Sequence, residues 1–123
     1  MHIEKPWGHE LIWARSNSYV GKLIHIRAGE SLSRQYHVKK DESIFVMKGT
    51  LTLEIGDGSL LQVLTLTEGQ SFRIAPYTIH RFIADSENVD LIEVSTPELQ
   101  DVVRISDKYG RIDATDEALS LLD

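Results

Sequence analysis

Short runs of residues with β-strand character, separated by turn-forming residues, fill most of this sequence. Residues 50–55 show the pattern best, because polar and apolar residues alternate and place Leu51, Leu53 and Ile55 on one face. The following Gly56-Asp57-Gly58 predicts a hairpin turn with positive φ, which glycine adopts at little cost. Turns that recur at intervals of roughly 8 to 12 residues are typical of a sandwich or barrel. The sequence therefore predicts an all-β fold.

The predicted strands cover the chain up to about residue 95. They are Glu10 to Ala14, Tyr19 to Arg27, Ser43 to Met47, Thr50 to Ile55, Leu60 to Leu66, Ser71 to Ala75, Ile79 to Ala84 and Val89 to Ser95. Only the tail, Asp113 to Leu122, has helical character, because Thr115 can cap a first turn that contains acidic residues. We therefore expect a short C-terminal helix. No repeat or domain-sized linker is visible, so residues 1–123 are expected to form a single domain.

Composition narrows the function classes. A chain of 123 residues suits one domain with a core of its own. The formal net charge of −6 argues against a nucleic acid partner, since phosphate binding needs a basic surface. Cysteine is absent, which excludes disulfides and thiolate zinc sites. No apolar run approaches the roughly 20 residues that span a bilayer, and no apolar signal region opens the chain. We expect a cytoplasmic protein without a membrane partner.

Four residues have the spacing of a metal site. Gln35 and His37 share one face of a strand, so their ligand atoms can point toward the same place. Glu42 follows a short polar step, and His80 follows a strand-like run and Pro76. Each residue alone is ordinary, but the joint pattern predicts a metal inside a barrel. Mixed nitrogen and oxygen ligands suit a divalent transition metal with an open coordination position, zinc first and manganese, nickel or iron as alternatives.

These residues lie in two stretches that resemble the paired motifs of the cupin superfamily. The stretches run from Gly29 to Gly49 and from Gly69 to His80, with Gln35 standing at the first histidine position of the motif. The resemblance implies a cupin fold, which is a double-stranded β-helix or jelly-roll barrel. It also implies that one divalent metal is held by Gln35, His37, Glu42 and His80.

Further segments resemble one branch of that superfamily, the cupin domain of type II mannose-6-phosphate isomerases. That domain is the C-terminal part of bifunctional mannose-1-phosphate guanylyltransferase/mannose-6-phosphate isomerases. The segments are Lys5-Pro-Trp-Gly8, Leu91-Ile-Glu-Val94, Asp101-Val-Val-Arg104 and Asp107-Lys-Tyr-Gly-Arg111. The resemblance covers about residues 3 to 111. Two departures stand out: His37-Val38-Lys39 replaces consecutive histidines, and the loop from Pro76 to His80 is one residue shorter, with Thr78 in place of glycine.

The resemblance implies a sugar-phosphate isomerase acting between mannose 6-phosphate and fructose 6-phosphate. Its place would be mannose and GDP-mannose metabolism, which supplies polysaccharide precursors. The reaction needs a base that takes the proton from C2 and returns it to C1 through a cis-enediol, while a metal polarises both oxygens. Glu93 is the candidate base, since the family has a glutamate there. Lys22 shares parity with Ile24 and Ile26, so it is a second catalytic candidate facing inward.

Lys39 and Arg81 flank the presumed ligands and are the candidates for binding the substrate phosphate. Alternation turns Arg81 away from the ligand face, whereas Lys39 has the ligand parity. Trp7 and Trp13 are expected in the core or in a dimer contact. A homodimer is expected because an all-β chain with exposed edges must cover or charge them, and the cupins it resembles commonly dimerise.

Two other functions stay open on the sequence. One is a non-catalytic metal-binding cupin that binds a sugar or sugar nucleotide, which the missing histidines beside His37 favour. The other is another cupin enzyme, such as a dioxygenase with iron in the same site. Guanylyltransferase activity is not expected, because no Gly-rich, basic nucleotide-binding segment is visible.

Overall fold

The computed structural model describes residues 1–111, which contain β-strands and turns and no helix. The strands are β1 (His2–Lys5), β2 (Gly8–Arg15), β3 (Val20–Ile26), β4 (Arg34–Tyr36), β5 (Glu42–Lys48), β6 (Leu51–Gly56), β7 (Leu61–Leu66), β8 (Ser71–Ile74), β9 (Ile79–Ala84), β10 (Val89–Ser95) and β11 (Val103–Ser106). The predicted C-terminal helix, Asp113 to Leu122, lies outside the described residues. Across residues 1–111, no helix has the length and apolar character needed to span a membrane.

The strands form two antiparallel sheets. The order is β1-β2-β3-β10-β5-β8 in the six-stranded sheet and β11-β4-β9-β6-β7 in the five-stranded sheet. Strands far apart in the chain are neighbours, such as β3 with β10 and β4 with β9, because the chain passes repeatedly from one sheet to the other. The all-β prediction of a jelly-roll barrel is confirmed.

The core lies between the two sheets and contains the apolar residues that alternate along each strand. In β6, Leu51 and Leu53 are fully buried, and Ile55 packs against the same cluster, as the alternation predicts. Ile24 and Ile26 of β3 and Leu91 of β10 face this interior. Polar side chains that share their parity must therefore also point inward, which is how the sheets carry charged groups into the barrel.

Two strands, β1 and β11, were not predicted, and β4 was predicted only through the shared strand face of Gln35 and His37. β1 and β11 are both four residues long and lie at an edge of a sheet, and neither has the apolar alternation of the inner strands. Such edge strands form through pairing with a neighbour, here β2 and β4, rather than through composition. Their inner surfaces close the cavity described below.

The hairpin after β6 uses its two glycines differently. Gly58 has the predicted positive φ, 104°, whereas Gly56 does not have a positive φ. A Cβ atom at Gly56 would lie 2.1 Å from the carbonyl oxygen of Leu60, so glycine is needed there for space. The predicted turn is therefore present, but only one of its glycines is required for its backbone angle.

Candidate metal centre

Three buried side chains converge inside the barrel. His37 follows β4, Glu42 begins β5 and His80 lies in β9, and their ligand atoms all lie within 4.8 Å of one another. The Nε2 atoms of His80 and His37 lie 3.2 Å and 3.5 Å from Glu42 Oε1. All three residues are buried. The structure therefore brings together three of the four predicted ligands around a single carboxylate oxygen.

Backbone carbonyls orient both imidazole rings. His37 Nδ1 lies 2.5 Å from the carbonyl oxygen of Asp101, and His80 Nδ1 lies 2.9 Å from that of Thr78. A carbonyl oxygen only accepts hydrogen bonds, so each Nδ1 carries the proton and donates it. In the neutral rings, the Nε2 lone pairs then face Glu42. In metal sites, such hydrogen bonds from the second ring nitrogen fix the tautomer and the orientation of the histidine ligands.

The Glu42 carboxylate fits a cation rather than a hydrogen-bond donor. Neither of its buried oxygens has a hydrogen-bond partner of acceptable geometry among residues 1–111. Burial raises the pKa of Glu42, but the positive charge of Lys40, whose Nζ lies 3.0 Å from Oε2, acts against it, and on balance the pKa lies well below its usual value. One carboxylate oxygen and two imidazole nitrogens whose lone pairs face the same point are a donor set that suits a divalent transition metal.

Gln35 lies on the same cavity. It is part of β4, and its Cα pairs with that of His80 across the sheet. It lines the cavity together with the three converging residues. All four predicted ligands therefore surround one space of about 330 Å³, and their coordination of a metal stays a prediction.

A buried lysine, missed at the level of sequence, links the candidate ligands to the candidate base. Lys40 is 5% exposed, and its Nζ lies 3.0 Å from Glu42 Oε2 and 3.2 Å from Glu93 Oε2. Burial lowers the pKa of Lys40, but the charges of Glu93 and Glu42 outweigh it and raise that pKa above its ordinary value. Lys40 stands two residues before Glu42, and this spacing was a usable clue to a shared face.

Glu93 and Lys22 both face the cavity. Glu93 is 3% exposed, because it shares the inward parity of Leu91 in β10. Burial, and then the charge of Glu42, raise the pKa of Glu93 to about 8. Lys22 lies opposite Glu93 in the register of β3 and β10, and its Nζ is 3.4 Å from Glu10 Oε1. Lys22 is buried, as its shared parity with Ile24 and Ile26 allowed, while the catalytic roles of both residues stay predictions.

The two residues expected to bind phosphate do not line this cavity. Lys39 is exposed and borders a separate groove beside it. Arg81 points away from the inward-facing His80, and its Nε lies 3.2 Å from Glu54 Oε1 while its Nη2 donates to Ser106 Oγ at 2.7 Å. We therefore correct this expectation and assign neither side chain to the cavity.

Of the two tryptophans, Trp7 is buried and Trp13 is exposed.

Other basic residues occupy the cavity wall instead. They are Lys5, Arg15, Lys22, Lys40, Arg104 and Arg111. They come from β1, β2, β3, the segment before β5, β11 and the turn after β11, so no local motif identifies them together. The lining also contains Glu10, Glu42 and Glu93, so its six basic residues exceed its acidic ones by three, whereas the whole chain has a net charge of −6. This excess makes the cavity a favourable place for an anion.

Asp101 organises the segment between His37 and Glu42. Its carbonyl oxygen accepts from His37, and its carboxylate accepts from the backbone N–H groups of Val38, Lys39 and Lys40 at 2.6–3.1 Å. These bonds fix the turn that carries Lys40 inward and Lys39 outward. The first residue of the Asp101-Val-Val-Arg104 motif therefore positions the candidate ligand His37.

Replacing Lys40 with methionine is expected to destabilise the metal-free protein by roughly 3–5 kcal/mol, because two buried carboxylates would lose the cation between them. Urea unfolding in the presence of a chelator measures the change. Lys39→Met is the matched control, since that exposed side chain should change stability by no more than about 0.5 kcal/mol. Equal stabilities of the two variants would contradict the buried network.

Comparison with known proteins identifies relatives of the whole described fold. Residues 1–107 match the family described as mannose-6-phosphate isomerase C-terminal. The chain is 33% identical over 113 residues to the xanthan biosynthesis protein XanB of Xanthomonas campestris pv. campestris, covering 89% of this chain and 23% of that protein. It is 35% identical over 118 residues to mannose-1-phosphate guanylyltransferase ManC of Salmonella typhimurium, covering 91% of this chain and 24% of that protein. The chain thus spans about a quarter of the length of these relatives.

A solved structure agrees with the architecture. The crystal structure of a cupin-2 domain containing protein from Shewanella frigidimarina superposes with a TM-score of 0.60 at 25% sequence identity. The match covers 75% of this chain and 82% of that one. The two antiparallel sheets described above are therefore those of a cupin.

Proposed function

We propose, since this chain belongs to the mannose-6-phosphate isomerase C-terminal family, that it is a metal-dependent sugar-phosphate isomerase. It interconverts mannose 6-phosphate and fructose 6-phosphate in mannose and GDP-mannose metabolism, which feeds polysaccharide synthesis. The observation that carries the proposal is a single cavity that contains both the candidate metal centre and a buried carboxylate, Glu93. Lys40 lies between the two, since its Nζ contacts both Glu42 and Glu93.

Gln35, His37, Glu42 and His80 would hold the metal, with zinc as the first expectation. When bound, a divalent metal supplies Lewis-acid polarisation of the C1 and C2 oxygens of the sugar. Lys40 contacts the Glu42 oxygen that faces away from the histidines, so it fixes the direction in which the other oxygen points. The chain itself must supply the proton acceptor.

Glu93 is the residue best placed to move the proton. In this proposal its carboxylate takes the proton from C2 of mannose 6-phosphate and delivers it to C1, while the hydroxyl proton of O2 passes to O1. The reverse reaction uses the same carboxylate oxygen. Lys40 holds that carboxylate from one side, and Lys22 lies opposite it across the sheet. A buried carboxylate whose position is fixed by a neighbouring cation is suited to general acid–base catalysis.

The basic cavity wall supports a phosphorylated substrate. Arg15, Arg104 and Arg111 line the same space as the candidate metal ligands, and guanidinium groups bind phosphate oxygens in a planar, two-pronged geometry. These arginines replace Lys39 and Arg81 as the proposed phosphate-binding residues. The guanidinium of Arg111 also pairs with the carboxylate of Asp107, which fixes its direction.

The deciding experiment follows the metal-loaded protein with mannose 6-phosphate in deuterium oxide. Formation of fructose 6-phosphate, with deuterium entering at C1 or C2, is the expected result. Metal-bound protein that exchanges no proton on any hexose phosphate would overturn the isomerase and leave a sugar-binding module. Turnover with zinc alone would separate the isomerase from an iron dioxygenase, because zinc is redox-inert.

We also propose that the protein is a homodimer, and that the contact is the apolar part of the outer face of the six-stranded sheet, between β2 and β5, which leaves the edge strand β1 outside it. Leu11, Leu23, Ile92 and Phe45 form a row across four strands of this face in direct register. Trp13, Phe45, Met47 and Val94 on the same face are each 41–55% exposed. A contiguous apolar face of this kind is the usual sign of an interface, and a two-fold axis lets one patch pair with itself.

Phe45→Glu and Val94→Glu are expected to convert the dimer to a monomer, because each places a charge on the apolar face. Sedimentation equilibrium at micromolar concentration gives the mass. Val63→Glu serves as control, since Val63 is 64% exposed on β7 of the other sheet and should leave the dimer intact. A wild-type protein that is monomeric in this range would refute the proposal.

A further inference from the structure

A second group of histidines lies outside the cavity, on the outer face of the six-stranded sheet. The chain has five histidines: two are at the candidate metal centre, and the others are His2, His9 and His25. Register places Glu4 of β1, His9 of β2, His25 of β3 and Asp90 of β10 in one row across four strands. His2 stands two residues before Glu4 and so shares its face.

The side chains of this group are in mutual contact. His2 Nε2 lies 2.6 Å from Glu4 Oε1. The rings of His2 and His9 stack with centroids 4.6 Å apart, and those of His9 and His25 stack at 4.9 Å. At the far end of the row, His25 Nδ1 lies 2.6 Å from Asp90 Oδ1. Three imidazoles are thus held between two carboxylates.

We propose that His2, Glu4 and His9 form a second metal site, which binds a divalent transition metal of the zinc, nickel or copper class. Each of the three residues offers one ligand atom, and these atoms lie within 4.8 Å of one another. Two imidazoles and one carboxylate are ligands that such ions prefer over calcium or magnesium. His2 and Glu4 are exposed and His9 partly so, which leaves room for water to complete the coordination.

The surrounding charges are compatible with a cation. Glu4 and Asp90 bring negative charge to either end of the row. Arg27 is a cation whose charge acts on Glu4, and its guanidinium donates to the carbonyl oxygen of Pro6 at 2.6 Å. His25 is a positioning residue in this scheme, because it is fixed by Asp90 and stacks against His9.

Binding at this place would fasten one wall of the cavity. β1 is the edge strand of its sheet, and its inward residues Ile3 and Lys5 line the cavity. Its outward residues, His2 and Glu4, would share the metal with His9 of β2. The bound ion would therefore cross-link a short edge strand to its neighbour and hold Ile3 and Lys5 in place from the outside.

Calorimetric titration of the metal-free full chain with zinc chloride tests the site. The wild type is expected to bind a second equivalent of Zn²⁺, and His9→Ala to weaken that binding at least about 10–100-fold, since loss of a group that merely orients a ligand already costs this much. The His37→Ala/His80→Ala double variant should keep the outer site and lose the inner one. Glu87→Gln, which changes an exposed glutamate elsewhere, is the control.

Amide hydrogen exchange of β1 provides a second measurement that does not depend on stoichiometry. Zinc is expected to slow exchange in β1 of the wild type and of the His37→Ala/His80→Ala variant, and to have no effect on β1 in His9→Ala. Zinc binding by His9→Ala with wild-type stoichiometry and affinity would overturn the proposal. So would equal zinc-induced protection of β1 in His9→Ala and wild type.

Discussion

His80→Ala is expected to abolish metal binding at the inner site. His80 is 1% exposed, its Nδ1 is fixed by Thr78, and its Nε2 points at Glu42 Oε1. His37 cannot move in to replace the lost nitrogen, because Asp101 holds its ring in the same way. Elemental analysis after dialysis against a weak chelator measures the loss, with His9→Ala as the common background so that the proposed outer site does not contribute. His37→Ala should behave like His80→Ala.

The matched control is His9→Ala, which removes a histidine from the outer face and should leave the inner metal in place. Circular dichroism distinguishes loss of metal from loss of fold, since a folded His80→Ala protein without metal at the inner site is the expected outcome. If both His37→Ala and His80→Ala keep the wild-type metal content, the inner site has been assigned to the wrong residues.

The sequence predicts that Gln35, His37 and Glu42 converge because they lie close together in the chain. In a strand, residues two positions apart such as Gln35 and His37 lie on the same face. The chain returns to the same space only a few residues later, at Glu42. His80 is distant in sequence, and periodicity alone could not pair β4 with β9. The resemblance supplied that pairing, and the register of Gln35 with His80 shows its structural basis.

The parts that could not be predicted depend on how separate strands meet. Arg104 and Arg111 stood in recognised motifs, but their common wall with Arg15 follows from the closure of the barrel. Lys39 and Lys40 are adjacent basic residues, and the bonds from Asp101 to the turn decide which of them is buried. Edge strand β1 has too little apolar character to be recognised without its partner β2.

The structure also shows in which direction the candidate base, Glu93, points. Leu91 and Ile92 are both apolar, so alternation alone left the direction of Glu93 open. In the structure Leu91 is fully buried in the core and Ile92 lies in the apolar row of the outer face. Glu93 therefore points inward, where Lys40 contacts it.

Glu93→Gln is expected to lower turnover of mannose 6-phosphate by about 10²–10⁴-fold, the range for loss of a general base. The amide keeps the shape of the side chain and an oxygen for the contact with Lys40, but it cannot accept the proton from C2. Metal content and fold should stay at wild-type levels, because Glu93 is not among the predicted ligands. Deuterium exchange at C1 and at C2 should fall together, since one carboxylate serves both carbons. Glu87→Gln, at an exposed position, is the control for turnover. An active protein whose turnover and exchange are unchanged by Glu93→Gln would keep the isomerase and move the base to Lys22, the other candidate on the same wall.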